Sequence, residues 1–411
     1  MQRTFSRNWA EFHGDRVPGR PVRQHRWRRR AAAELVAPRI LLVGLGELGS
    51  RVLAVLCREL PATAVVHVLT RDAAAATTRA NLAVQSALQL GRPPVVTCRE
   101  ADVRNEDQTA QAIADFRPDL VLSALTRQSW WVTSLLPPRA GARLAEARFG
   151  PWLPMHLAPV RHLMVALAAA GSDAIVVNAA FPDAVHPVLD TVGLSPDIGI
   201  GNIANVVPGV RLSLAERWDV PVDRVEVRLY GAHYVSHRAS REGDAGEAGY
   251  VLRALLDGDD ITEEVDLGNP FARLPIAYRR PGGRDGQLMT ACSAVTVLRG
   301  LLSSRTSDVH APGPRGLPGG YSVRVSSAGI DVNVPPGCGV DQLVEVNLGG
   351  LAADGIEAIG DRGGVTFRDR EVSVMAEVLG YECPYLPLDD VDARAEELAA
   401  RYAQYVSAAR E

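Results

Sequence analysis

The sequence contains no lysine, so its 44 basic residues are all arginine. Schiff-base chemistry on a lysine amine is thereby excluded. Cysteine is scarce, with single residues at 57, 98, 292, 338 and 383 and no CxxC pair. An odd, scattered set argues against a disulfide framework or a structural zinc site and suits a reducing cytoplasm. No apolar run reaches the ~18 to 20 residues that span a bilayer. The nearest, 160–180, is broken by Arg161, His162, Ser172 and Asp173. The first residues lack the continuous apolar core of a secretory signal.

What is present is an ordinary globular composition, 47% hydrophobic and 22% charged with a formal net charge of −4. At 411 residues the chain is too long for one small core, so two domains are expected. Residues 1–38 stand apart. Up to Arg39 there are ten arginines against Glu11, Asp15 and Glu34, with prolines at 18, 21 and 38. This reads as a loosely attached extension, and contact with nucleic acid is the lesser reading.

The clearest pattern is Arg39-Ile-Leu-Leu-Val-Gly-Leu-Gly-Glu-Leu-Gly-Ser-Arg51. Four apolar residues, then GxGxxG, then a helical stretch form the strand–turn–helix of a dinucleotide site. Gly44 permits the tight turn, Gly46 lets backbone approach a pyrophosphate, and Gly49 allows close helix–strand contact. Glu47 and Leu48 complete the loop, and the helix N-terminus offers free N–H groups to phosphate. The second strand, 63–69, runs into Thr70-Arg71-Asp72. A hydroxyl and a guanidinium suit a ribose 2′-phosphate, so NADP is expected ahead of NAD. In the alternative, Arg71 is a solvated turn residue and Asp72 bonds the ribose.

Helices are read at 72–89 (Leu82, Val84, Ala87 and Leu88 inward), 108–116 and 158–171, and strands at 94–98, 119–125 and 174–177. This β-α-β alternation predicts a doubly wound parallel sheet over 39–190. Ala124 and Leu125, at the fourth strand's carboxyl end, are expected beside the cofactor. Past them, Thr126 to Trp131 carries Arg127 and a tryptophan pair, read either as a substrate loop or as a packing anchor. From 191 to 411 the pattern becomes α+β. A glycine turn at 198–205 and a helix at 210–218 precede an alternating strand at 224–230 that ends in Gly231-Ala-His233. A helix at 287–302, a hairpin at 321–334, strands at 340–348 and 364–367, and a closing helix at 391–405 complete the chain. His233 and His237, four residues apart, could make a metal pair on a helix, but the glycine turn carries Asn202 rather than a cysteine, and no metal is expected.

This order of features resembles the lactate and malate dehydrogenase superfamily from about residue 39 to 411. GLGELG matches its nucleotide loop, Val176-Val-Asn178 with Pro182-Asp183 its strand ending in Asn-Pro-Val-Asp, and Tyr230-Gly-Ala-His233 its Gly-Glu-His-Gly. The likeness extends to the late helix at 287–299 and to closing antiparallel strands at 330–359. The resemblance implies that His233 is the acid–base histidine and that Asn178 bonds the substrate oxygen and the nicotinamide region. It makes Arg127 the match for the loop arginine. The family's histidine-orienting aspartate and carboxylate-clamping arginine fall on Asn205 and Pro208, and Arg211 is the only nearby substitute.

The expectation is therefore an NADP-dependent (NAD possible) oxidoreductase acting on a small carbonyl or hydroxy compound, cytoplasmic and homodimeric. Its Rossmann domain is joined to an α+β substrate domain, with no membrane or nucleic-acid partner. A reductase of an imine or of an amino-acid-derived carbonyl is the alternative enzyme. A non-catalytic NADP sensor or scaffold is the alternative of another class.

Overall fold

The computed structural model describes residues 37–263 and 268–409. The expected extension lies outside them up to residue 36. Strand β1 (Arg39–Val43) forms where four successive apolar side chains can be buried on two faces at once. Ile40 and Leu42 join the core on one side of the sheet, and Leu41 and Val43 join the core on the other. Around β1 the chain winds β2 (Val65–Thr70), β3 (Val95–Glu100), β4 (Leu120–Ser123), β5 (Ile175–Asn178) and β6 (Ile198–Gly199). All pair in parallel, in the order β3-β2-β1-β4-β5-β6. The connecting helices are α1 (Glu47–Glu59), α2 (Ala73–Leu88), α3 (Glu106–Phe116), α4 (Pro138–Ala145), α5 (Leu153–Ala169) and α6 (Pro182–Asp190). This is the expected doubly wound Rossmann sheet. Its sixth strand comes from the stretch read as a glycine turn.

Two local expectations are corrected in this half. Leu82 and Leu88 do not face the core but are 71% and 62% exposed. Ala76, Ala80, Ala83 and Ala87 face inward instead, because methyl-sized side chains let α2 lie close against α1 and β3. Helix α5 starts at Leu153 rather than Ala158, so Pro159 stands inside it rather than in its first turn.

The second half is α+β, as expected. It contains α7 (Val207–Trp218), β7 (Val225–Tyr230), α8 (His233–Arg241), β8 (Val251–Leu256), β9 (Asp259–Asp260) and α9 (Gly283–Leu302). There follow β10 (Ser307–Pro312), β11 (Gly320–Ser326), β12 (Gly329–Val332) and α10 (Val340–Ala353). The chain ends with β13 (Ile356–Ile359), β14 (Val365–Phe367), α11 (Asp369–Leu379), β15 (Tyr385–Leu386) and α12 (Val391–Ala408). The strands make three small antiparallel sheets, β7-β8-β9, β10-β11-β12 and β13-β14-β15. The strand expected at 340–348 is helix α10, with Leu343, Val344, Asn347 and Leu351 buried at helical spacing. Two helices of this half return to the parallel sheet, α9 against α1 and α12 against α5. Among the described residues no helix is long and apolar enough to cross a membrane.

Candidate active site

The glycine loop has the form a dinucleotide needs. A Cβ on Gly49 would stand 2.2 Å from the carbonyl oxygen of Gly44, so only glycine lets α1 close onto β1. Gly44 has φ +91° and abuts Ala124 and Leu125 at the end of β4. Gly46 is exposed, with nothing within 4 Å of where its Cβ would stand, and caps α1 without any side chain. The first-turn N–H groups of α1 therefore face open space, as a pyrophosphate site requires. Leu48 is half-buried against the core. Glu47 turns away from the loop to Arg51 (3.1 Å) and Arg284 (3.0 Å), tying α1 to the start of α9. At the end of β2, Thr70 is half-buried and Arg71 exposed. Asp72 caps α2, its Oδ1 accepting the Ala75 N–H at 2.9 Å.

His233 opens α8 immediately after β7. Its Nδ1–H donates to the Asp354 carboxylate at 2.6 Å, and its backbone N–H donates to Asp183 Oδ1 at 2.7 Å. A carboxylate only accepts, so Nδ1 carries a proton and Nε2 is the nitrogen left to exchange one. Burial opposes charge on this imidazole, but Asp354, by charge and hydrogen bond, and then Asp183 outweigh it and hold its pKa above the ordinary 6.5. The ring is flanked by Phe149 at 4.8 Å and His237 at 5.7 Å, with Phe181 edge-on at 5.5 Å.

Burial, with His233 adding to it, pushes His156 down to about 3 and so keeps it neutral, and His237, at the exposed side of the cluster, is shifted in the same direction. Burial raises Asp183 to about 6 against the pull of His233, and its second oxygen accepts from Asn202 Nδ2. Phe181, Asn202 and Arg148 around this cluster have φ of +40°, +50° and +56°. For residues with side chains such backbone is costly and persists only where packing enforces it.

Asp354 is delivered by the C-cap of α10. Its carbonyl oxygen accepts the Gly150 N–H at 2.7 Å, and a Cβ on residue 150 would meet that oxygen at 2.7 Å. The approach that sets Asp354 against His233 thus depends on glycine at 150. Its carboxylate takes the place beside the histidine that the family pattern assigns to Asn205. Asn205 instead donates from Nδ2 to Thr290 Oγ1 at 2.9 Å.

The other expected roles are corrected by where the side chains point. Asn178 is fully buried, its Oδ1 accepting the Ala180 N–H at 3.0 Å. Its Nδ2 donates to Ala180 O at 3.0 Å and to His186 Nε2 at 3.2 Å. Since His186 Nδ1–H gives its proton to the Gly313 carbonyl at 2.6 Å, its Nε2 is an acceptor, and Asn178 has no hydrogen left for a substrate. Arg211 donates to the carbonyls of Val225 (2.7 Å) and Val222 (3.0 Å), holding α7 to the start of β7. Arg127 is exposed and lies 3.5 Å from Glu396 on α12.

His233, His156, His237 and Asp354 line a cavity of about 470 Å³. Its other wall is the segment after β4, where Trp130 and Trp131 open a short 3₁₀ turn (Trp130–Leu135) leading into α4. Both tryptophans of the pair thus stand in the cavity wall. The sequence pattern does not reveal Arg148, Phe149 and Arg241, which also stand in this wall. Phe149 and Gly150 lie in a stretch with no period to read, and a strand reading of 340–348 conceals Asp354.

The six-stranded parallel sheet with its antiparallel companions is the fold of malate and lactate dehydrogenases. The chain is similar to the crystal structure of malate dehydrogenase from Plasmodium falciparum over 77% of its length and 97% of that chain, at 12% identity and a TM-score of 0.50. It is also similar to lactate dehydrogenase from Cryptosporidium parvum over 78% of its length and 98% of that chain, at 13% identity and a TM-score of 0.50. No protein-family profile matches the chain, and no curated protein matches it in sequence.

Proposed function

We propose that this protein is a nicotinamide-dinucleotide-dependent oxidoreductase that reduces a carbonyl compound to the alcohol, with His233 as the proton donor. The observation carrying this reading is the His233–Asp354 pair on the cavity wall. The carboxylate engages Nδ1 and stabilises the charged ring, which leaves Nε2 to give up the proton. Gly46, Gly49 and the N-terminus of α1 would hold the pyrophosphate, with Ala124 and Leu125 packed beside Gly44. When bound, the cofactor supplies a hydride to the carbonyl carbon, and the oxygen takes its proton from His233. His156, held neutral by burial, leaves His233 as the ring of the cluster whose pKa is raised. Phe149 and His237 stand against its faces, and Phe181 is edge-on to it. A proton couple of this kind favours an enzyme over a cofactor sensor. Arg71, exposed beside Thr70 at the end of β2, supports the finer reading of NADPH over NADH.

The test is loss of reduced-nicotinamide absorbance when NADPH or NADH is mixed with the protein and a panel of aldehydes, ketones and oxo acids. Turnover is expected, faster with NADPH. Arg71→Ala should weaken NADPH by roughly 1.5–3 kcal/mol, the range for a charge-assisted hydrogen bond, and leave NADH unchanged. Equal losses for both would contradict the NADPH assignment, and no binding of either nucleotide would contradict the function.

A further inference from the structure

The charges around the cavity do not cancel. Arg238 is matched by Glu242 (2.6 Å) and Asp244 (2.7 Å), and Asp354 is matched by His233. Arg148 and Arg241 remain: among the described residues neither has a carboxylate within ion-pair distance. The Arg148 Nε is buried with no acceptor, and its guanidinium lies 5.4 Å from the Tyr234 ring centroid. Trp131 presents the same anomaly, since its indole Nε1 is buried without a partner. Buried donors left unmade are costly, and in a cavity wall they mark where a ligand's acceptors belong. Three arginines, Arg148, Arg238 and Arg241, stand against the two carboxylates Glu242 and Asp244, whose nearest hydrogen-bonded partner is Arg238, and this surplus of positive charge with an indole N–H calls for an anion.

The remaining wall is aromatic. Trp130, 40% exposed, and Trp131 stand on one side, with Phe149 and Tyr234 near His233. Flat ring faces of this kind receive another ring. The volume, about 470 Å³, is the room of about fifteen waters at ~30 Å³ each, well beyond what a three-carbon acid fills.

We propose that the ligand of this cavity is a carbonyl acid carrying an aromatic ring, its anionic group on Arg241 and Arg148 and its ring against Trp130 and Trp131. This rests on the reading of His233 as the proton donor only for where the carbonyl lies. The anion and ring sites stand on the unmatched charges and the aromatic wall. The arrangement answers a gap in the sequence, where proline stands in the place of a clamping arginine. The anion site is supplied from α8 and from the segment before α5.

The experiment is binding without turnover, followed by tryptophan fluorescence with phenylpyruvate, pyruvate and the uncharged phenylacetone as probes. Phenylpyruvate should bind at least about tenfold tighter than either of the others, since it alone meets both sites. Arg241 is exposed and makes no ion pair, so Arg241→Gln should fold normally and lose about tenfold or more for phenylpyruvate with phenylacetone unchanged. Trp131→Phe, which keeps a ring and removes the donor, should weaken phenylpyruvate in the same direction. Equal affinity for phenylpyruvate and pyruvate, or indifference of phenylpyruvate to Arg241→Gln, would overturn it. Tight, arginine-dependent binding with no turnover by any nucleotide would uphold it and defeat the proposed function alone.

Discussion

At the scale of single residues, one histidine concentrates the chemistry. His233 is set apart from the protein's other buried histidines by its two carboxylate neighbours, which keep it ionisable where burial holds the rest neutral. If it delivers the proton, His233→Asn should lower carbonyl-reduction turnover at least about 100-fold, the usual scale of general acid help. Nucleotide affinity should barely change, because the glycine loop lies on a different element. Steady-state kinetics beside nucleotide titration checks this, and turnover within a few-fold of wild type would contradict it. His233 is legible in the sequence because a strictly alternating strand ends at Tyr230. Asp354 is not, because its approach depends on a contact with Gly150, far away in the chain.

At the scale of elements, legibility follows how much of each element's burial is encoded locally. Strand β1 is buried on both faces and is plain as an unbroken apolar run, and the turn chemistry of GxGxxG then fixes α1. Helix α10 reads as a strand because Val340 to Leu348 is rich in β-branched and apolar residues, whose spacing fits either period over so short a window. Helix α2 shows the same limit from the other side. Its leucines look like a core face, but the distance to α1 and β3 admits only alanine. The segment from Gln128 to Pro137 is a short 3₁₀ turn with its flanks, and its tryptophans acquire a role only through the wall that α8 builds opposite. Arg127 and Asn178 match the family pattern by position, Asn205 and Arg211 stand at or near positions where it departs, and each of the four joins parts of the chain rather than facing the cavity.

At the scale of the whole molecule, the buried histidines make folding depend on pH. Burial pushes His156 down to about 3, and His186 and His310 down to about 4, from an ordinary 6.5. A group whose folded pKa is depressed gives stability that is fully present above its unfolded pKa and lost as pH falls towards the folded value. These three act in that sense between pH 6.5 and about 4, since the unfolded chain takes up protons that the fold refuses. His233, with a raised pKa, acts in the opposite sense above pH 6.5, and within the window Asp183, raised to about 6, opposes the three histidines. The melting temperature should therefore fall steadily as pH drops below 6.5, before most carboxylates titrate. His310→Gln, which keeps an acceptor for the Leu229 N–H, should make that fall shallower. A melting temperature flat across this window would contradict the assignment of neutral buried rings.

The central claim is that Asp354 holds His233 ready to give up a proton, and the pH dependence of kcat for carbonyl reduction tests it most directly. An acid must be protonated to act, so wild-type kcat should be full at low pH and decline as pH rises through a pKa above 6.5. In Asp354→Asn the opposing charge is gone and burial prevails, so the declining limb should move to lower pH by about 1 to 3 units. A limb that stays where it was in Asp354→Asn would contradict the account.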